Sequence, residues 1–137
     1  MGGLDKARVG PLGRRGIVGR GVLLDMARHR GKASLDKAET FTHEDLEACA
    51  KAQGITIEPS DILIVRTNFP SQFFEDPTAF YTDFCEPGLC FPKELVQRFH
   101  AKQIPNMVTD AIANEVTYDP KTGRARPLHR ALMRHRG

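Results

Sequence analysis

The clearest pattern of apolar and polar positions lies in F-T-H-E-D-L-E-A-C-A-K-A-Q-G, and it predicts a helix. Thr42 is a good N-cap residue, and Asp45, three residues later, can return a hydrogen bond to its backbone N–H. Phe41 and Leu46 stand at the two positions of a hydrophobic staple. Gly54 is typical of a residue that ends a helix, so we expect the helix to stop there.

Three short apolar runs predict strands. They cover residues 17–25, residues 62–67, and the segment I-P-N-M-V-T-D, which ends at Asp110. The second run has four consecutive apolar residues, which is typical of a strand covered on both faces.

Two further helices are predicted in the second half of the chain. One begins at Pro92, a residue suited to a first helical turn, and runs to about Lys102. The last helix begins at Pro127 and runs to Gly137. The apolar positions that the first of these helices would bury are Leu95, Val96 and Phe99.

The remaining segments lack a regular pattern. Residues 1–15 read as irregular, and residues 70–91, rich in prolines and aromatics, read as a long ordered loop. Strands that alternate with helices indicate an α/β fold. Because 137 residues suffice for one domain with a core and are too few for two, we expect a single domain over residues 1–137.

Glycines cluster at the start of the first predicted strand, where Gly16, Gly19 and Gly21 read G-x-x-G-x-G. Phosphate binding is one interpretation of this cluster. A phosphate loop, however, follows a strand and opens a helix whose free N–H groups face the anion. Here the strand-like run V-L-L comes after the glycines. We therefore favour glycines that let the chain turn into a buried strand.

Composition is that of a soluble globular protein, with 40% hydrophobic and 27% charged residues. No apolar run approaches the length of a membrane span, and the first thirty residues lack the apolar stretch of a signal peptide. Three cysteines, an odd number, argue against a secreted disulfide framework. We therefore expect a cytoplasmic protein with no membrane partner.

The net charge of +3 is unevenly distributed along the chain. Residues 1–32 carry eight Lys and Arg against two acidic residues, residues 33–95 four against twelve, and residues 96–137 eight against three. Basic ends around an acidic middle fit a nucleic-acid-binding protein, but no such motif accompanies them and aromatics are scarce there. The alternative is that the ends fold onto the acidic middle or face solvent.

Each predicted strand ends in a polar residue: Asp25, Thr67 or Asp110. Ligands of open α/β sheets gather beyond the carboxyl ends of the strands, so these residues mark a candidate crevice. Asp25 and His29, four residues apart, would share one helix face as metal ligands do. The alternative is that Asp25 caps the helix that carries His29.

The other histidines and the cysteines differ in what they indicate. We expect His43 and His100 to be exposed on their helices. Cys85 and Cys90 are spaced too loosely for a zinc knuckle, and no second cysteine pair exists. His129, in P-L-H-R-A-L, is a candidate site residue, but a lone histidine cannot hold a catalytic metal.

Several motifs occur in the order seen in one known family. They are R-G-V-L-L-D, T-H-E-D-L-E, S-D-I-L-I-V-R-T-N-F, P-G-L, T-D-A-I-A-N-E and L-H-R-A-L. Together they resemble the cyclase family of metal-dependent hydrolases, which includes bacterial kynurenine formamidases and isatin hydrolases. Ser60 stands where the family often has Gly, and Asn68-Phe69 replaces Gly-Trp. These departures bear on substrate identity.

The resemblance implies a partial swivelling β/β/α domain that is usually oligomeric. It also implies a zinc or manganese ion that activates water for attack on a small aryl formamide, lactam or lactone. Because His129 matches the family's late histidine, the resemblance implies that it is a metal ligand. It further implies that Asp110, Glu115 and Asp25 shape the site. In relatives the loop at Thr67, Asn68 and Phe69 helps to line the substrate pocket.

Most of the family's ligand set is missing. The histidines, at positions 29, 43, 100, 129 and 135, contain no pair four residues apart, so the family's His-x-Gly-Thr-His-x-Asp stretch is absent. The glutamate expected about a dozen residues after His129 would fall beyond Gly137. We therefore expect the central and C-terminal portion of such an enzyme, inactive alone and unable to bind the metal stably.

Two other functions stay open from sequence alone. The chain could be a catalytically dead remnant that acts as an interaction or regulatory subunit, as a homo-oligomer or paired with a full-length relative. It could also be a basic nucleic-acid-binding protein, whose binding would depend on salt.

Overall fold

The computed structural model describes residues 9–91, 93–120 and 123–134. Its strands are β1 (Gly21–Asp25), β2 (Thr40–Phe41), β3 (Ile62–Arg66), β4 (Gly88–Leu89) and β5 (Asn106–Thr109). Its helices are α1 (Val9–Arg15), α2 (Met26–His29), α3 (His43–Ala52), α4 (Ser71–Glu75), α5 (Pro77–Tyr81), α6 (Lys93–Ala101) and α7 (Pro127–Arg134). The predicted α/β class is confirmed. None of the helices in the described ranges is long and apolar enough to cross a membrane.

The main sheet has three parallel strands in the order β1-β3-β5. One face carries Val22, Leu24, Leu63 and Val65, all nearly inaccessible to solvent. Helix residues complete this core, among them Leu46, Cys49, Leu95 and Leu128. The helices that supply these residues therefore pack on a single face of the sheet.

The opposite face of the sheet is open, which corrects the prediction that β3 is covered on both sides. Ile64 is 39% exposed and lies beside Leu23 in β1 and Val108 in β5. Burial therefore alternates along β3, as expected for a sheet with one covered face. The apolar run signals two covered faces, but the described part of the chain supplies a layer for only one.

The predicted helix with Thr42 as its N-cap is confirmed as α3. The Thr42 hydroxyl accepts the Asp45 N–H at 3.4 Å, and Asp45 Oδ2 accepts the Thr42 N–H at 2.8 Å, which completes a capping box. The C-cap is Gln53, followed by Gly54 with a φ of 71°. The predicted helix at 92–102 is α6, and the predicted last helix is α7. Residues 135–137 of the prediction lie outside the described ranges.

The N-terminal segment differs from the prediction. Residues 1–15 were expected to be irregular, yet residues 9–15 form α1, while residues 1–8 lie outside the described ranges. Pro11 falls in the first turn, where a missing N–H costs no helical hydrogen bond. The helix ends at Arg15, and the next residue, Gly16, has a φ of 73° and donates its N–H to Leu12 O at 2.7 Å. The strand expected from residue 17 begins only at Gly21, because its partner strand begins opposite at Ile62.

The long loop expected at 70–91 contains regular structure. Helices α4 and α5 fill its first half, and β4 pairs with β2 in a second, two-stranded parallel sheet. The Asp76 carboxylate caps α5 by accepting the Ala79 N–H at 3.0 Å, and Pro77 occupies the first helical position. This Asp-Pro pair is a recognisable helix start, so the signal was present in the sequence.

Candidate functional site

The carboxyl ends of β1, β3 and β5 meet at one edge of the sheet because all three strands are parallel. Asp25 lies directly opposite Arg66, whose Nη1 donates to Asp25 Oδ1 at 2.8 Å and Oδ2 at 3.0 Å. Asp25 Oδ1 also accepts the Arg28 N–H at 3.0 Å and caps α2. The capping interpretation of Asp25 is therefore confirmed, and His29 at the end of α2 is exposed.

Asp110 fixes the turn that follows β3. Its Oδ1 accepts the Thr67 N–H at 2.9 Å and the Thr67 hydroxyl at 2.6 Å, and its Oδ2 accepts the Asn68 N–H at 2.7 Å. Asn68 has a φ of 52°, a left-handed conformation that these bonds help to hold. Three of the sequence-predicted residues therefore lie together at the sheet edge.

Phe69, the third residue of the predicted substrate loop, turns into the protein. Its side chain is 1% exposed, and its ring centroid lies 5.0 Å from that of Phe80 and 6.1 Å from that of Phe84. Its backbone N–H donates to the Thr67 hydroxyl at 3.2 Å. Phe69 therefore anchors the loop in an aromatic cluster, while Thr67 and Asn68 contact Asp110.

His129 and Glu115 form a second group at the start of α7. The Glu115 side chain is 1% exposed; its Oε2 accepts the Leu128 N–H at 2.6 Å and its Oε1 accepts the His129 N–H at 2.8 Å. These N–H groups belong to the first turn of α7 and have no partner within the helix. A carboxylate there also complements the positive end of the helix dipole.

The same carboxylate holds the imidazole. Glu115 Oε1 lies 2.5 Å from His129 Nδ1. In the neutral ring, a carboxylate acceptor at Nδ1 places the proton on Nδ1 and leaves the lone pair on Nε2. The His129 side chain is 48% exposed. His129 is therefore a half-exposed imidazole with one ring nitrogen held by a buried carboxylate.

Glu86 is a buried acid that the sequence did not single out beyond its place next to P-G-L. It is 0% exposed, and its Oε2 accepts the N–H groups of Ile112 at 2.9 Å and Ala113 at 3.2 Å. Arg126 Nη2 lies 3.7 Å from its Oε1. Burial raises the pKa of Glu86 above its ordinary value. An acidic residue directly before Pro-Gly in an apolar stretch was the available signal.

The remaining histidines and cysteines lie apart from this group. His43 was expected to be exposed but is buried, at 5% exposure, because α3 turns it toward Leu63, Phe99 and Ile104. His43 Nε2 lies 2.8 Å from Glu44 Oε1. His100 is exposed, as expected. Cys85 and Cys90 form no disulfide within the described ranges, and the Cys90 thiol lies 3.5 Å from Phe41 O.

A catalytic metal ion requires several protein donors. Within residues 9–91, 93–120 and 123–134, no three His, Cys, Asp or Glu side chains are arranged to hold an ion. Within the same ranges, His129 has a feature common to metal-binding histidines, a ring nitrogen held by a carboxylate. A complete metal site therefore does not fit the donor set of the described residues.

Comparison with known proteins identifies the family. The family model described as Cyclase matches residues 5–116, well over half of the chain. This chain belongs to the cyclase family. It is also similar to the crystal structure of a novel cyclase, with 31% sequence identity and a TM-score of 0.64. That match covers 73% of this chain and 33% of the solved one, so the chain spans about a third of the length of that cyclase. No curated protein matches.

Proposed function

We propose that this chain contributes part of the active site of a metal-dependent amidohydrolase, with His129 as a metal ligand through Nε2. The contact between His129 Nδ1 and buried Glu115 carries this proposal. Histidines that bind metals commonly donate their other ring N–H to a carboxylate, which fixes the tautomer and the ring orientation. The match to the cyclase family covers residues 5–116. The L-H-R-A-L motif, which follows it at residues 128–132, resembles the segment with the family's late histidine.

The substrate class follows from the same resemblance. A zinc or manganese ion would supply Lewis-acid activation of water for hydrolysis of a small aryl formamide, lactam or lactone. In this chain Glu115 would hold the imidazole, and Asp110 would fix Thr67 and Asn68 at the sheet edge. Asp25 would shape that edge through its ion pair with Arg66.

We further propose that this chain alone binds the metal weakly and does not turn over substrate. One ligand cannot hold a catalytic ion, and no three His, Cys, Asp or Glu side chains among the described residues are arranged to hold one. The other donors would come from residues outside the described ranges or from a partner chain. We also propose a cytoplasmic location, because three cysteines, an odd number, argue against a secreted disulfide framework.

Zinc titration of three proteins tests the role of His129. The wild-type chain, His129→Gln and the control His100→Gln would be compared by calorimetry. His100 is an exposed histidine on α6 and is not in contact with Glu115 in the structure. We expect weak binding that is lost in His129→Gln and kept in His100→Gln. Equal affinity in all three proteins would refute the ligand assignment. Tight stoichiometric zinc together with hydrolysis of N-formylkynurenine would contradict the proposal that this chain alone is inactive.

The open face of the sheet favours a second candidate function, that of a subunit that pairs with another chain. Leu23, Ile64 and Val108 form a continuous row across three strands, with exposures of 48%, 39% and 50%. Parallel sheets are normally covered on both faces. A second copy of this chain or a full-length relative would supply the missing layer. Sedimentation of the purified chain, alone and mixed with an intact cyclase, tests this function, and a monomer in both conditions counts against it.

A further inference from the structure

Two groups of site contacts come from one short segment, residues 110–115, which we call the 110–115 loop. At its start, Asp110 accepts hydrogen bonds from Thr67 and Asn68. At its end, Glu115 accepts from Leu128 and His129. The position of both carboxylates therefore depends on the conformation of the residues between them.

The middle of this loop is not held by a regular strand or helix. It consists of bends, and Ile112 within it is 73% exposed. Apolar packing from Ile112 therefore contributes little to its position. The backbone N–H groups of Ile112 and Ala113 both donate to Glu86 Oε2, at 2.9 Å and 3.2 Å.

Glu86 is itself held firmly on the other side. Its backbone N–H donates to Thr117 Oγ1 at 3.0 Å, and its side chain is fully buried. Three residues on, Leu89 donates to Asn114 O at 3.0 Å and accepts from Val116 at 3.1 Å. The segment around Glu86 therefore lies along the loop and provides a fixed base for its side chain.

The second carboxylate oxygen of Glu86 faces α7. Arg126, the residue before the first turn of α7, places Nη2 3.7 Å from Glu86 Oε1. Among the described residues, Oε1 has no hydrogen-bond partner. A buried carboxylate is costly unless hydrogen bonds or a nearby cation compensate it. Glu86 receives both kinds of compensation, from the loop on one oxygen and from the approach to α7 on the other.

We propose that Glu86 is a positioning residue that holds the 110–115 loop, and through it Glu115, in the geometry that orients the His129 ring. Its importance for catalysis rests on the proposed function, but the positioning itself does not. The Glu86 and His129 side chains are close enough to interact electrostatically, but the hydrogen bonds of the Glu86 side chain in the described part of the chain go to the loop, and we assign its positioning role to them. Glu86 holds the loop through the two hydrogen bonds that it accepts from the backbone N–H groups of Ile112 and Ala113.

NMR on the purified full chain tests this proposal through the His129 Nδ1 proton. A proton held between Nδ1 and a carboxylate at 2.5 Å gives a low-field resonance that exchanges slowly with water. We expect Glu86→Ala to lose this resonance and to speed amide exchange at Ile112 and Ala113 at least tenfold. Glu86→Gln should retain the resonance, because its amide oxygen can accept the two N–H groups.

Asp61→Asn is the matched control. Asp61 is also buried, at 2% exposure, and it accepts from Arg20 and the Glu58 N–H, away from the loop. The Asp61→Asn substitution should leave the His129 resonance unchanged even if it lowers the stability of the protein. If Glu86→Ala does not fold, Glu86→Asp replaces it, since the shorter acid keeps the charge but cannot reach both N–H groups.

Two results would overturn the proposal. One is a His129 resonance that survives in Glu86→Ala or Glu86→Asp, and the other is its equal loss in Glu86→Gln or Asp61→Asn. None of these measurements uses metal or substrate. If the zinc titration refutes His129 as a ligand, the positioning role of Glu86 still stands. If the NMR measurements refute the positioning role, the ligand assignment of His129 still stands.

Discussion

Replacing Gly88 with alanine should be the most damaging glycine substitution in the core of this protein. A Cβ at Gly88 would lie 2.4 Å from the carbonyl carbon of Glu115, 2.6 Å from Val116 N and 2.8 Å from Glu115 Cα. All three are backbone atoms, which cannot rotate away as a side chain can. Non-bonded carbon atoms prefer about 3.5–4.0 Å, so β4 and residues 115–116 must separate by about 1 Å.

The cost can be worked out from what that separation disrupts. Leu89 donates to Asn114 O at 3.0 Å and accepts from Val116 at 3.1 Å, and both bonds flank the clash. Losing two such bonds costs about 1 kcal/mol each, and strain from overpacking adds about 1–3 kcal/mol. We therefore expect Gly88→Ala to lower the free energy of unfolding by about 3–5 kcal/mol, a large part of a typical total of about 5–15 kcal/mol.

Urea denaturation followed by circular dichroism measures this change. Gly13→Ala is the matched control, since nothing lies within 4 Å of a Cβ at this position in α1. Alanine should be neutral there or stabilise the helix by up to about 1 kcal/mol. At Gly21 a Cβ would meet the mobile end of Ile64 at 3.1 Å, so Gly21→Ala should have a small effect. A Gly88→Ala protein within about 0.5 kcal/mol of the wild type would refute the close backbone approach.

Three further predictions concern stability and reactivity. Arg20 donates a hydrogen bond to Asp61 and lowers the pKa of that carboxyl to about 2. The ionised Asp61 therefore stabilises the folded protein above the ordinary pKa of 3.8, and this stabilisation is lost as the pH falls through about 2. As the pH falls, the free energy of unfolding should decrease by about 1 kcal/mol less in Asp61→Asn than in the wild type, as measured by acid titration of unfolding. This value is smaller than the full pKa shift would give, because Arg20 is half-exposed. Equal decreases in the two proteins would refute the linkage. Thr42→Ala removes the side-chain half of the capping box and should cost about 1 kcal/mol in urea denaturation, whereas an unchanged midpoint would mean that α3 does not depend on its cap. Burial raises the pKa of Cys49 to about 11, so a thiol reagent at pH 8 should label it only after unfolding, and rapid labelling of native Cys49 in a peptide map would contradict its burial.

Local signals in the sequence predicted the elements whose determinants lie within a few residues. The capping box of α3 is written in Thr42 and Asp45, three positions apart, and the structure reproduces it. The Asp76-Pro77 start of α5 was equally local but was masked by the surrounding prolines and aromatics. Burial was harder to predict. His43 reads as an exposed first-turn residue, and its burial depends on residues distant in sequence, Leu63, Phe99 and Ile104.

The candidate site was partly visible in the sequence for a different reason. Parallel strands place their carboxyl ends at one edge, so Asp25, Thr67 and Asp110 could be grouped from the pattern alone. The contact between Asp110 and Thr67 spans 43 positions, and nothing local specifies which oxygen accepts which hydrogen. The position of Glu86 before Pro-Gly was a local signal, but its role could not be assigned from it, because its partners at 112 and 113 become neighbours only when β4 packs beside the loop.

The hydrogen bonds also divide the roles among the predicted site residues. Both oxygens of Asp25 contact Arg66, and both oxygens of Asp110 accept from Thr67 or Asn68. A carboxylate with its lone pairs directed at N–H and O–H groups is a weak competitor for a metal ion, because coordination would break those bonds. These acids therefore organise the sheet edge. Among the predicted site residues in the described ranges, Nε2 of His129 is by the same reasoning the donor atom that is free to coordinate a metal ion.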